Sequence, residues 1–218
     1  MTEPQISPSP PYRLVVFDFD GTLADSARWM RGVIDQMAIK HRFKRVHDDE
    51  IEMLRGRGTR EILAYLGIEA WRLPFIARDV RRLSAAAAPS LSLFEGVPAL
   101  LQLLHARGIG IAVVTSNAEE TVRTVLGPCA SLVGHYACGA SLFGKDRKLA
   151  ALARTVQLRG SEILCLGDET RDLEAARAVG LTAGAVTWGY ANETVLRAAA
   201  PDHVFERVAE VAALFRGP

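Results

Sequence analysis

The sequence predicts an α/β fold, a parallel sheet core with helices on both faces and an α-helical subdomain inserted into it. Three observations predict it. Short, continuously apolar runs rich in β-branched residues recur along the chain, and such runs suit strands buried on both faces of a parallel sheet. Helix-period patterns separate most of them, which is the order that parallel crossover connections require. One stretch, 26–92, departs from this alternation and carries helical patterns alone.

The first strand is Leu14-Val15-Val16-Phe17, ending abruptly in Asp18-Phe19-Asp20-Gly21-Thr22. Helix-like stretches follow over Trp29 to Lys40, Asp49 to Leu54, Arg60 to Leu66 and Trp71 to Ala87, with Pro89 stopping the last. Val97 to Ala106 reads as a helix closed by Arg107-Gly108, and Ile109 to Val114 as the second strand. Leu132 to Ala137 is a third strand interrupted by His135, and Leu149 to Val156 is helical. Ile163 to Leu166 is the fourth strand, running into Gly167-Asp168, and Leu173 to Val179 is helical. Thr182 to Val186 is the fifth strand and His203 to Phe205 a short last one. The expected organisation is a disordered arm over 1–11, a Rossmann-like core over 12–25 and 93–218, and a helical insert over 26–92.

Composition narrows the function classes. A formal charge of +1 over 218 residues gives no electrostatic handle for nucleic acid or an anionic membrane surface. No apolar run has the length of a bilayer span, and the Pro- and Ser-rich start lacks the apolar segment of a secretion signal. Cys129, Cys138 and Cys165 have no metal-ligand spacing, so reduced thiols and a cytoplasmic location are expected.

In open parallel sheets ligands bind at the carboxyl ends of the strands. Asp18 and Asp20, Thr115-Ser116-Asn117, and Asp168 with Asp172 all follow apolar strands and would converge on that edge. Asp18 and Asp20 lie two apart on an extended backbone, so both point to one side, and Gly21 lets the chain turn away. Buried carboxylates need a partner or a cation, and several oxygens together suit magnesium. A capping turn explains one acid of each pair and leaves the other unexplained. Hydroxyl, amide and backbone donors at Thr115, Ser116 and Asn117 suit phosphate oxygens, although an N-cap would use the same residues. Either Lys145 or Lys148 offers a fixed positive charge before the fourth strand, with Asp146 expected to cap the helix and leave Lys145 in the loop.

Asp18-Phe19-Asp20-Gly21-Thr22-Leu23 resembles the DxDGTL motif of the haloacid dehalogenase superfamily. Thr115 resembles its second motif, Lys145 its third without the KPxP form, and Gly167-Asp168-Glu169-Thr170-Arg171-Asp172 its GDxxxD fourth. The resemblance implies that Asp18 attacks phosphorus and that Asp20 is the acid and then the base. It implies magnesium held by Asp18, the backbone carbonyl of Asp20 and Asp168, with Asp172 in support. Thr115 and Lys145 would grip the phosphoryl group, lined also by Gly21, Thr22, Ser116 and Asn117.

An acid at position 20 is similar to phosphatases and phosphomutases, in contrast to the carbon–halogen and carbon–phosphorus cleaving members. The insert resembles the cap of the phosphoglycolate phosphatase and β-phosphoglucomutase branch. Arg60 is similar to a substrate-facing basic residue there, and reads equally as a solvated surface arginine. Thr187-Trp188-Gly189-Tyr190 resembles a segment of phosphoglycolate phosphatase-like members, either shaping the entrance or simply packing. The reading is a phosphatase of a small phosphorylated metabolite, monomeric or homodimeric, with a phosphomutase or a non-catalytic binding module as alternatives.

Overall fold

A computed structural model describes residues 12–216, so the arm expected over 1–11 lies outside the described residues. The strands are β1 (Leu14–Phe17), β2 (Ala24–Asp25), β3 (Ser92–Leu93), β4 (Gly110–Val114), β5 (His135–Ala137), β6 (Ile163–Gly167), β7 (Thr182–Val186) and β8 (His203–Phe205). The helices are α1 (Ala27–His41), α2 (Ile51–Arg55), α3 (Thr59–Tyr65), α4 (Leu73–Ala87), α5 (Val97–Ala106), α6 (Glu119–Leu126), α7 (Lys145–Val156), α8 (Thr170–Ala178), α9 (Glu193–Ala198) and α10 (Val208–Ala213).

Six strands form one parallel sheet in the order β5-β4-β1-β6-β7-β8. β1 sits in the middle, with Phe17 in register with Val113 on one side and Leu166 on the other. The apolar runs follow from the burial. All four residues of β1 are buried, and the strand period of two sends Val15 and Phe17 to one face and Leu14 and Val16 to the other. The first face packs against Leu100, Leu101 and Leu104 of α5 and Val122 of α6. The second packs against Leu149 and Leu152 of α7, Leu173 and Ala176 of α8, and Leu196 of α9. Each fully buried Leu or Phe contributes about 1.5–3 kcal/mol, so the sheet needs both helical layers.

Several elements differ from expectation, among them the short strands β2 and β3 and the helices α9 and α10, which the sequence reading does not include. The third strand is only His135–Ala137, because a 3-10 turn occupies Gly127–Leu132 and β4 offers pairing partners only from Ala112 to Val114. A helix over Glu119–Leu126 was not foreseen, although two acids open it and Val122, Val125 and Leu126 line one buried face.

Between β2 and β3 the described residues are helical or irregular, and α1 to α4 lie there. Val46, Leu54 and Leu66 form a separate small apolar cluster with Phe43, Ile51 and Ile62. Asp79 of α4 ties down the end of α1, accepting from Lys40 at 2.7 Å and meeting His41 at 2.8 Å. The chain enters and leaves this segment through an antiparallel ribbon in which Ala24 faces Leu93 and Asp25 faces Ser92. Among the described residues no helix is long and apolar enough to cross a membrane.

Candidate active site

The carboxyl edge of the sheet gathers the polar residues that end β1, β4 and β6. Asp18 continues the pairing of β1, its N–H bonded to the carbonyl of Leu166 at 2.8 Å. Phe19, fully buried, then accepts N–H bonds from Leu23 and Ala24 at 2.9 and 2.8 Å and curls the loop back on itself. Gly21 lies at φ 76°, and a Cβ there would stand 2.2 Å from Oδ2 of Asp168. Only glycine meets both conditions.

Asp168, fully buried after β6, accepts the Thr22 hydroxyl on Oδ1 at 2.8 Å and the Tyr190 N–H on Oδ2 at 2.8 Å. Asp172, in the first turn of α8, accepts the Glu169 N–H on Oδ2 at 3.1 Å. Its Oδ1 lies 2.5 Å from the ammonium of Lys145, which also reaches Oδ1 of Asp18 at 2.7 Å. Carboxylate oxygens of Asp18, Asp168 and Asp172 all lie within 4.8 Å of one another. Three buried acids thus share one ammonium, which touches two of them; fully ionised they would carry two charges beyond it, and oxygen donors alone with that charge suit a hard divalent cation. Arg171 stands nearby, but its guanidinium is paired with Glu169.

The electrostatics follow from this crowding. Burial pushes the Asp18 carboxyl up to about 7, against the pull of Lys145. Burial, then the charges of Glu169, Asp18 and Asp172, hold Asp168 well above the ordinary carboxylate range. Burial alone would lower the Lys145 amine, but Asp172 and Asp18 outweigh it and raise the amine above its usual value. A cation among these acids would reverse the carboxylate shifts, since opposite charge favours the ionised form.

Asp20 stands apart from this cluster. Its Oδ1 accepts the Ser26 hydroxyl at 3.0 Å and its Oδ2 the Asn117 side-chain amide at 2.6 Å, while burial raises its carboxyl above the usual range. Asn117 therefore meets Asp20, and its N–H bonds Oγ1 of the buried Thr115 at 3.1 Å. Ser116 is half-buried beside them, and the Thr22 hydroxyl is engaged by Asp168. Arg60 is exposed, its guanidinium 5.2 Å from the ring centre of Phe143.

The helix carrying Lys145 starts differently from expectation. Gly144 occupies the cap position and Lys145 is the first helical residue, drawn to the strand ends by its two carboxylates, while the buried Oδ1 of Asp146 has no partner. Of the two lysines considered, Lys145 is buried against Asp18, whereas Lys148 is half-buried near Cys138.

Several residues here escape sequence reasoning. Ser26 and Tyr190 meet across 164 positions at 2.6 Å, and Trp188 donates its indole N–H to the carbonyl of Thr22 at 3.1 Å. Arg55, from the helical segment, donates to the carbonyls of Tyr190 and Gly189 at 3.0 and 3.4 Å, and its own carbonyl accepts the Asn192 N–H. Thr59 donates to Glu169 at 3.3 Å. The one local signal was the aromatic pair around Gly189.

Residues 15–186 match the family of haloacid dehalogenase-like hydrolases. A phosphoglycolate phosphatase of Synechococcus elongatus is 32% identical over 194 residues, covering 88% of this chain and 92% of that protein. A protein of Mycobacterium tuberculosis named tyrosine-protein kinase PtkA is 33% identical over 193 residues, covering 84% of this chain and 65% of that protein. The structure of a haloacid dehalogenase-like hydrolase from Streptococcus pneumoniae superposes with a TM-score of 0.76 at 20% identity, over 94% of this chain and 99% of that one. The chain belongs to the haloacid dehalogenase-like hydrolases, and within them it is a phosphoglycolate phosphatase-like phosphoric monoester hydrolase.

Proposed function

We propose that the chain hydrolyses a small phosphomonoester, with phosphoglycolate the first candidate, in a magnesium-dependent reaction through an aspartyl-phosphate on Asp18. The observation that carries this reading is the separation of two kinds of carboxylate. Asp18 lies among the acids that meet Lys145, while Asp20 is held apart by neutral donors.

A carboxylate oxygen of Asp18 attacks phosphorus as the bond to the leaving oxygen breaks, and Asp20 gives that oxygen its proton. Asp20 then takes a proton from water, whose oxygen attacks the same phosphorus and frees Asp18 and inorganic phosphate. Lys145 and Thr115 hold the phosphoryl oxygens, with the backbone around Gly21, Thr22, Ser116 and Asn117 lining the site. Asp18, the backbone carbonyl of Asp20, Asp168 and Asp172 would hold magnesium, which when bound offsets charge on the phosphoryl oxygens.

Residues 26–92 serve as a cap over a core of 12–25 and 93–218. The contacts of Arg55 and Thr59 with the strand-end loops support that role. Arg60, beside Phe143, is the candidate for a second anionic group on the substrate. The reading places the enzyme in the cytoplasm, acting on a free metabolite.

The test is phosphate release from phosphoglycolate and a panel of small phosphomonoesters, with and without a chelator. Magnesium-dependent release that Asp18→Asn abolishes is expected. Turnover undiminished by excess chelator would refute the metal role. Isomerisation of a sugar phosphate dependent on its bisphosphate, without net hydrolysis, would make the chain a mutase instead.

A further inference from the structure

We propose that Tyr190 is a positioning residue for Asp20, acting through Ser26, and that it links this carboxylate to Asp168 and to the helical segment. The inference rests on the reading of Asp20 as the proton carrier.

Tyr190 is fastened at three points. Its N–H donates to Oδ2 of Asp168 at 2.8 Å, its carbonyl accepts Nε of Arg55 at 3.0 Å, and its hydroxyl meets Oγ of Ser26 at 2.6 Å. With the backbone held on both sides, a rigid ring has little freedom in where it places its hydroxyl. Ser26 in turn donates to Oδ1 of Asp20 at 3.0 Å. The chain of donors therefore runs from Tyr190 to Ser26 to Asp20.

Ser26 supplies an independent observation. It is fully buried and occupies the N-cap position of α1, where a serine hydroxyl ordinarily accepts a backbone N–H of the first turn. Here its side chain makes no cap bond, so α1 forgoes that contact. The hydroxyl is turned to Asp20 and Tyr190 instead. The phenol oxygen is the second polar contact of that hydroxyl, so removing it leaves Ser26 held by Asp20 alone and free to shift with it.

The geometry also suits a group that changes role. A hydroxyl both donates and accepts, so the Ser26–Tyr190 pair can stay bonded to Asp20 with or without its proton. Asn117, on the other oxygen, offers only its amide donor in this arrangement.

The experiment is rapid-quench measurement of the phosphorylation step with an alkyl phosphate and with p-nitrophenyl phosphate, in saturating magnesium. Misplacing a catalytic group by about 1 Å can cost 10²-fold, so Tyr190→Phe should slow the alkyl substrate by roughly 10- to 100-fold. The p-nitrophenolate group leaves without a proton, and its rate should change by no more than about twofold. Ser26→Ala should reproduce this ratio, and the double variant should be no worse than the more damaging single one, because the two act as a unit. Preserved aryl activity is the internal proof of folding. Should Tyr190→Phe fail to fold, the ratio in Ser26→Ala decides.

Asp20→Asn is run beside them. Selective alkyl loss in Asp20→Asn with equal or no loss in Tyr190→Phe overturns the Tyr190 role and leaves the reading of Asp20 intact. Equal alkyl and aryl loss in Asp20→Asn removes that reading, and the Tyr190 proposal with it.

Discussion

The ammonium of Lys145 bridges Oδ1 of Asp18, at 2.7 Å, and Oδ1 of Asp172, at 2.5 Å, and all three side chains are buried. Burial pushes the Asp18 carboxyl up to about 7, and Lys145, ahead of the more remote charge of Arg171, is the main cation that opposes this rise. Lys145→Met should therefore leave Asp18 protonated at neutral pH in the metal-free protein and bring phosphate release to background. Removing one partner of a buried ion pair typically costs about 3–5 kcal/mol. Urea denaturation should show a loss of that order at pH 8 and a smaller one at pH 5, where the acids can take up protons instead. Equal destabilisation at both pH values would mean that Lys145 does not compensate these carboxylates.

The raised carboxylates also set a pH dependence for the metal-free protein. Asp18 and Asp168 bind protons more tightly when folded than unfolded, so their contribution to stability is most favourable below the ordinary carboxylate range. The share of Asp18 is lost as the pH rises through about 7, its folded value, and that of Asp168 as the pH rises through its own raised value. Divalent cations bind the ionised forms. Magnesium should thus raise the melting temperature little at pH 5 and clearly at pH 8, by several degrees at saturation. Calorimetric scans at the two pH values check this, and a larger shift at pH 5 would contradict the assignment.

Gly189→Ala tests the walls of the same site. A Cβ at Gly189 would fall 2.3 Å from Cβ of Asp168 and 2.4 Å from the carbonyl oxygen of Gly21, so one of them must move. Perturbing the support of a metal ligand typically costs 10- to 100-fold in affinity. The magnesium concentration for half-maximal activity should rise by about that factor.

Gly32→Ala provides the contrasting case. Gly32 lies inside α1, exposed, with nothing within 4 Å of the added methyl. Alanine there should stabilise the protein by about 1 kcal/mol, read from chemical denaturation, with unchanged kinetics.

What the sequence reveals depends on how local the signal is. Leu14 to Phe17 announces its strand because all four residues are buried, and Asp18 stands out by following an apolar run. The acids after β6 are legible for the same reason. Ser26, Tyr190 and Arg55 are not, since each is an ordinary capping, packing or surface residue until folding brings it to its partner. Thr22 and Asn117 lie in recognisable places, but their partners, Asp168 and Asp20, come from other loops. The start of α7 is not legible, because an acid at position 146 looks like a cap, whereas the helix begins at Lys145, which is held by its two ion pairs.

The ribbon of β2 and β3 has a consequence for how such a chain can change. Ala24 and Leu93 are paired neighbours, so the departing and returning backbones stand side by side. A tight turn joining them would leave the order of the six-stranded sheet untouched. The intervening helices form a parenthesis in the chain that could be lengthened, shortened or exchanged for another segment while the strand ends keep their geometry. If this segment is the cap proposed above, selectivity would be free to drift by transplantation at this junction while the residues at the strand ends stay in place.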